Sequence, residues 1–116
     1  MKVVSPDDRR IEPRLRLGLH VVEVDGEDKY FQYATNLSAG GIFLSGTLPN
    51  PPGTNVTLVF KLPGEANPLA IPAVVVGNSD GNARGTHFRF VDDESSDARG
   101  QIRKFVEQRQ RRFAAV

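Results

Sequence analysis

Over residues 15–22 apolar positions alternate strictly with other positions along the chain. Successive side chains on a β-strand point to opposite faces, so this period of two predicts a half-buried strand. Its buried face carries Leu15, Leu17, Leu19 and Val21, and its other face carries Arg16, Gly18, His20 and Val22. The segment at 25–28 predicts a turn, and residues 29–35 alternate again as the returning strand.

Four further short segments have the apolar content and spacing of strands, at residues 42–44, 56–62, 69–76 and 84–90. Segments rich in glycine, proline and asparagine separate them and predict turns or loops at 36–41, 49–53, 63–68 and 78–82. After Val91 the period changes to that of a helix, and acidic residues suit its N-terminus: Asp92, Asp93, Glu94 and Asp97. One face of this helix is apolar and carries Ala98, Ile102, Phe105, Val106 and Phe113.

These elements predict a mainly β fold, a six-stranded antiparallel β-barrel of the split-barrel type with a C-terminal α-helix. Short antiparallel strands close into a barrel because closure removes free strand edges. The apolar face of the helix would then cover an open mouth of the barrel. Residues 1–13 are charged and lack periodicity, so we predict a flexible N-terminal arm there and a barrel domain over 14–116.

The composition limits the possible functions. A chain of 116 residues, 39% hydrophobic and 25% charged, is typical of one globular domain. It contains no cysteine, which excludes disulfides and thiolate metal sites. The N-terminal residues do not resemble a signal peptide, and the longest apolar stretch, 73–76, is too short to cross a bilayer, so we expect a cytoplasmic protein without membrane insertion. No nucleophile–base motif or phosphate-binding loop occurs, and we expect no enzymatic activity, no metal and no cofactor.

Two arginines spaced four residues apart, Arg10 and Arg14, lie where the arm joins the first strand. The guanidinium group is a planar fork of donors that binds phosphate oxygens in pairs, stacks on aromatic bases and matches the O6/N7 edge of guanine. Pro13 keeps this segment from forming the interior of a helix. For an isolated pair of arginines, a solvated basic tail is the simpler interpretation.

The segment 36–41, Asn-Leu-Ser-Ala-Gly-Gly, is the second candidate. Asn36 has both a donor and an acceptor with which to read a base edge, and Ser38 has a hydroxyl. Gly40 and Gly41 allow unusual backbone angles and would let N–H groups approach an anion. A plain turn between strands is the alternative. An N-glycosylation site also fits Asn-Leu-Ser, but without a secretory signal we set it aside.

Together, the Arg-x-x-x-Arg segment at 10–14 and the Asn-x-Ser-x-x-Gly segment at 36–41 resemble the signature of the PilZ domain, the bacterial receptor for the second messenger cyclic di-GMP. The resemblance extends over roughly residues 8–113. It implies that Arg10 and Arg14 clamp phosphates and guanine, that Asn36 reads a guanine edge, that Ser38 bonds the ligand and that Gly41 allows the turn. Arg9 precedes the motif, and in the family an arginine there accompanies binding of a stacked pair of ligands.

The resemblance also implies a mechanism, in which ligand binding orders the arm and presents a new surface to an effector protein. One position departs from the family pattern, since His87 stands where the last strand often has a second glycine. It would either crowd the site or change only the packing of the barrel.

Two other functions are compatible with the sequence. In the first, the fold serves protein interaction without using the nucleotide, and His87 is the residue that favours it. Alternatively, the basic helix binds nucleic acid phosphates through Arg103, Lys104, Arg109, Arg111 and Arg112. Basic residues opposite an apolar face are usually only the solvated side of a helix, so we consider nucleic acid the less favoured partner.

Overall fold

Six antiparallel strands and one helix make up the described part of the chain. The computed structural model describes residues 14–46, 50–79, 84–91 and 97–114, with side chains in the last stretch described to Arg111. In chain order the elements are β1 (Arg14–Asp25), β2 (Asp28–Ser38), β3 (Gly41–Ser45), β4 (Asn55–Phe60), β5 (Leu69–Ser79), β6 (Gly85–Phe90) and α1 (Asp97–Ala114).

The strands form a closed barrel in the order β1-β2-β3-β6-β5-β4, with every neighbouring pair antiparallel. The predicted fold class, a six-stranded antiparallel barrel followed by a C-terminal helix, is therefore confirmed. Closure pairs β1 with β4, so neither strand is left with an unpaired edge. The buried positions follow the predicted alternation on β1, where Leu15, Leu19 and Val21 lie in the core.

The hairpin between β1 and β2 has a two-residue loop, Gly26 and Glu27. Asp25 pairs with Asp28 across it. Gly26 has a φ of 64°, whereas Glu27 has an ordinary negative φ, as in a type II′ turn. This turn matches the right-handed twist of the strands on either side, and the sequence predicted it correctly.

The end of β2 differs from the expectation. We predicted that residues 36–41 form a turn, but β2 continues through Asn36 and Leu37 to Ser38, and only Ala39 and Gly40 lie between β2 and β3. Leu37 is fully buried opposite Leu15 of β1, and burial of this apolar pair favours continued strand pairing. In the same way β5 continues to Ser79, into the segment predicted as a turn.

Helix α1 packs against β1, β2 and β5. Ile102 and Val106 are buried in the same core as the strand residues, with Ala98 and Phe105 packed against it, in agreement with the predicted apolar face. The side-chain amide of Gln110 donates to the carbonyl oxygen of Arg14 at 3.2 Å, which places α1 beside the start of β1. The acidic residues 92–94 and the side chain of Phe113 lie outside the described residues. Within the described part of the chain, no helix is long and apolar enough to cross a membrane.

A buried carboxylate lies near the opposite end of β1. Glu23 is 2% exposed and faces the barrel interior. Its two oxygens accept hydrogen bonds from Gln32 Nε2 at 3.0 Å and from Asn50 Nδ2 at 2.9 Å. The carbonyl of Asn50 accepts in turn from Asn78, whose side chain accepts from Thr86. Burial raises the pKa of Glu23, and the two amide donors only partly oppose this effect.

We predict that ionisation of Glu23 lowers the stability of the fold. A carboxyl whose pKa is raised on folding binds its proton more tightly in the folded state, so stability falls as the pH rises from the unfolded pKa through the folded one. The free energy of unfolding of the native chain, minus that of Glu23→Gln, should therefore fall as the pH rises above 4.5, the ordinary pKa of the group. The fall amounts to about 1.4 kcal/mol for each pH unit between the two pKa values. Urea denaturation across the acidic to neutral range measures it, and a difference that rises with pH would contradict the prediction.

Candidate functional site

The pairing of β1 with β2 brings the last arginine of the first motif beside the asparagine motif on the outer face of the barrel. Arg14 pairs with Ser38 and Arg16 with Asn36, on either side of the inward pair Leu15 and Leu37. Because paired residues in a sheet point to the same face, the four polar side chains lie together outside the barrel. Arg14 and Arg16 are exposed, and Asn36 and Ser38 are half-buried. Thus Arg14, the last residue of the arginine motif, meets the asparagine motif through strand register, although the two are more than twenty residues apart in the chain.

The same face continues across β3 to β6. Asn36 pairs with Phe43, and Gly41 pairs with Arg89, which is exposed. We call the set Arg14, Arg16, Asn36, Ser38, Gly41 and Arg89 the outer-face cluster. The three arginines of the cluster lie on either side of the polar Asn36 and of Gly41, which has no side chain. Their guanidinium groups suit an anion that also has hydrogen-bonding edges.

Sequence reasoning did not assign Arg16 or Arg89 to the site. Arg16 was detectable, because the alternation of β1 places it on the same face as Arg14. Arg89 was not, since only the pairing of β3 with β6 brings it beside Gly41. Arg9 and Arg10, the other predicted ligand residues, lie outside the described residues.

The Ser38 hydroxyl holds the short turn that follows it. Its Oγ accepts from the backbone N–H of Gly40 at 3.3 Å and of Gly41 at 3.1 Å, and it donates to the carbonyl of Gly41 at 3.4 Å. The two N–H groups predicted to approach an anion therefore bond to Ser38. The carbonyl of Gly40 accepts from the N–H of Phe90 at 2.9 Å, which ties the turn to the end of β6. Direct ligand contacts from Ser38, Gly40 and Gly41 stay predictions.

Gly41 is needed for space rather than for an unusual backbone angle. Its φ is not in the left-handed region, but a Cβ there would overlap the carbonyl oxygen of Phe88 on β6. Absence of a side chain thus lets β3 and β6 pair closely and keeps the surface between Ser38 and Arg89 open.

His87 takes part in packing on the neighbouring row of the sheet. Its ring lies 4.6 Å from that of Phe43, centroid to centroid, and its Nε2 is 3.0 Å from the hydroxyl oxygen of Ser79. Phe43 is itself buried, and it pairs with both Asn36 and His87. The histidine therefore packs against Phe43, the residue that lies next to Asn36 on the outer face.

Comparison with known protein families shows to which family this chain belongs. The sequence matches the PilZ domain over residues 8–108, most of its length. The chain belongs to the PilZ domain family. No curated protein sequence matches this PilZ domain.

Several solved structures have the same fold. The inhibitor of motility MotI/DgrA of Bacillus subtilis is 22% identical with a TM-score of 0.74, and the match covers 90% of this chain and 52% of that one. The PilZ domain of YcgR from Escherichia coli, solved with c-di-GMP, is 17% identical with a TM-score of 0.65, covering 92% and 97%. The MrkH–c-di-GMP complex from K. pneumonia is 18% identical with a TM-score of 0.67, covering 92% and 55%. This PilZ domain thus spans about half the length of the MotI/DgrA and MrkH chains.

We predict that Ser38 stabilises this PilZ domain independently of any ligand. In Ser38→Ala two partly buried N–H groups lose their acceptor, which should cost about 1–2 kcal/mol of unfolding free energy. The matched control is Ser45→Ala, since Ser45 makes one exposed bond to the carbonyl of Tyr33 and its loss should stay within about 0.5 kcal/mol. Urea denaturation compares the two variants. Equal losses would show that Ser38 does not hold the turn.

Proposed function

We propose that this PilZ domain is a non-enzymatic receptor that binds cyclic di-GMP on the outer-face cluster, with Arg9 and Arg10 of the arm completing the site. The observation that carries the proposal is the strand register that sets exposed Arg14, Arg16 and Arg89 around Asn36 and Gly41 on one surface. The c-di-GMP complexes of the PilZ domain of YcgR and of MrkH support the choice of ligand.

The chemistry of the ligand fits the groups on this surface. Cyclic di-GMP carries two anionic phosphates and two guanine bases. Arg10 and Arg14 would bind phosphate oxygens in pairs and contact guanine, and the amide of Asn36 would bond a guanine edge. The side-chain-free Gly41 leaves room for the ligand to approach the sheet. Arg9 would favour a stacked pair of ligand molecules over a single one.

Signal transfer would start at the arm. Its arginines gain partners only when the anionic ligand is bound, so binding would order residues 1–13 against the barrel. The ordered arm would present a new surface to an effector protein. Gln110 of α1 already bonds to the carbonyl of Arg14, so the helix lies directly beside the point where the arm enters β1.

The basic helix offers a less suitable surface. Ile102 and Val106 are buried in the core, Arg99 is buried, and the guanidinium of Arg109 lies 4.8 Å above the ring of Phe105. The basic side chains of α1 are therefore divided among packing, stacking and solvent, whereas the arginines of the outer-face cluster share one face. The side chain of Arg112 lies outside the described residues.

Calorimetric titration of the full chain with cyclic di-GMP tests the proposal. We expect binding heat in the native chain and at least about tenfold weaker binding in Arg14→Ala, which removes a charged bond worth about 1.5 kcal/mol or more. Asn36→Ala removes a neutral bond worth about 1 kcal/mol and should bind about fivefold more weakly. Arg111→Ala is the matched control, since this exposed arginine lines the groove between α1 and the β4–β5 turn, and the variant should bind as the native chain does. Absence of heat in the native chain at high micromolar ligand would overturn the proposal. Native affinity in both cluster variants would overturn the site.

A further inference from the structure

Tyr33 lies on the outer face of β2 with nearly half of its surface open to solvent. It is 45% exposed, although it sits in the middle of a strand paired on both sides. Its cross-strand partner on β1 is His20, and the two rings meet edge-on, with centroids 5.4 Å apart and an interplanar angle of 66°. This contact fixes the tyrosine ring from one side and leaves the rest accessible.

The ring extends across β1 over Gly18. A Cβ at Gly18 would overlap the phenol oxygen of Tyr33 and would lie 2.8 Å from its Cζ. The φ of Gly18 is not in the left-handed region, so the glycine is required for the space it leaves rather than for its backbone angle. The tyrosine side chain thus lies across the sheet over a position that has no side chain of its own.

From Gly18 the next outward residue towards the start of β1 is Arg16, which pairs with Asn36. Register shifts occur here in both strands, between Arg16 and Leu19 in β1 and between Ala34 and Asn36 in β2. Such bulges redirect side chains on a sheet. The phenol oxygen lies over Gly18, the outward position next to Arg16, so Tyr33 borders the outer-face cluster on the side of Arg16.

We propose that Tyr33 is the stacking platform for a guanine base of the bound nucleotide, held in place by Gly18 and His20. This inference rests on the proposed function and deepens it. A flat, half-open aromatic ring beside a guanidinium and an amide provides the face contact that a purine base needs, while Asn36 supplies edge recognition. Stacking on an aromatic side chain commonly changes affinity by about tenfold or more per base.

The chain is well suited to a spectroscopic test, because it has two tyrosines and no tryptophan. Tyr30 is half-buried, and its side chain lies on the other face of β2. Stacked purines quench tyrosine emission, so titration with cyclic di-GMP, corrected for ligand absorbance with free tyrosine amide, should lower the emission of the native chain. The decrease should persist in Tyr30→Phe and disappear in Tyr33→Phe.

Affinity separates stacking from a merely structural role. Tyr33→Phe keeps a stacking ring and should bind within about threefold of the native chain, whereas Tyr33→Leu should bind about tenfold more weakly. Gly18→Ala should weaken binding as well, because its Cβ displaces the end of the flexible tyrosine side chain. Circular dichroism checks that each variant is folded.

The outcomes distinguish this inference from the proposed function. If the native chain gives no binding heat, the proposed function fails and the stacking role fails with it. If the native chain binds but the emission decrease persists in Tyr33→Phe, or Tyr33→Leu binds with native affinity, the stacking role is wrong while the receptor function stands.

Discussion

The inward pair of Leu15 and Leu37 fixes the arrangement on which the candidate site depends. Both side chains are buried, and they set the register of β1 against β2 at the end of the hairpin. Because side chains alternate along a strand, a slip of one residue would turn the leucines outward and the flanking polar residues into the core. Burial of two leucines therefore determines that Arg14 and Arg16 stand beside Ser38 and Asn36 on the outer face.

Contacts elsewhere in the barrel hold the strands of this outer face in place. Closure of the barrel pairs each strand on both sides, and α1 adds Ile102 and Val106 to the core. The turn after Ser38 is held from within by the serine hydroxyl and from β6 by the N–H of Phe90. The packed pair of Phe43 and His87 continues the row of outward side chains that contains Asn36. The proposed nucleotide site therefore lies on a face whose strands, turn and outer packing are all held by contacts within the barrel.

Much of the fold followed from local pattern. The alternation on β1, the turn at Gly26 and the apolar face of α1 are properties of short segments, and each was predicted correctly. The extension of β2 to Ser38 was missed, because polar Asn36 and Ser38 and the following glycines suggest a turn unless Leu37 is known to face Leu15. Arg89 was missed because it reaches the site only through the pairing of β3 with β6, which are far apart in the chain. The contact of Tyr33 with Gly18 was missed because it lies where the register between β1 and β2 shifts.

The central claim is that the outer face formed by β1, β2, β3 and β6 is the nucleotide site. Its most direct measurement is the mapping of backbone amide chemical shifts in the ¹⁵N-labelled full chain during titration with cyclic di-GMP. We expect the largest changes at Arg16, Asn36, Gly41 and Arg89, and only small changes in the groove between α1 and the β4–β5 turn, which is lined by residues such as Glu65. Changes concentrated in that groove, with the outer face unaffected, would show that the nucleotide binds elsewhere.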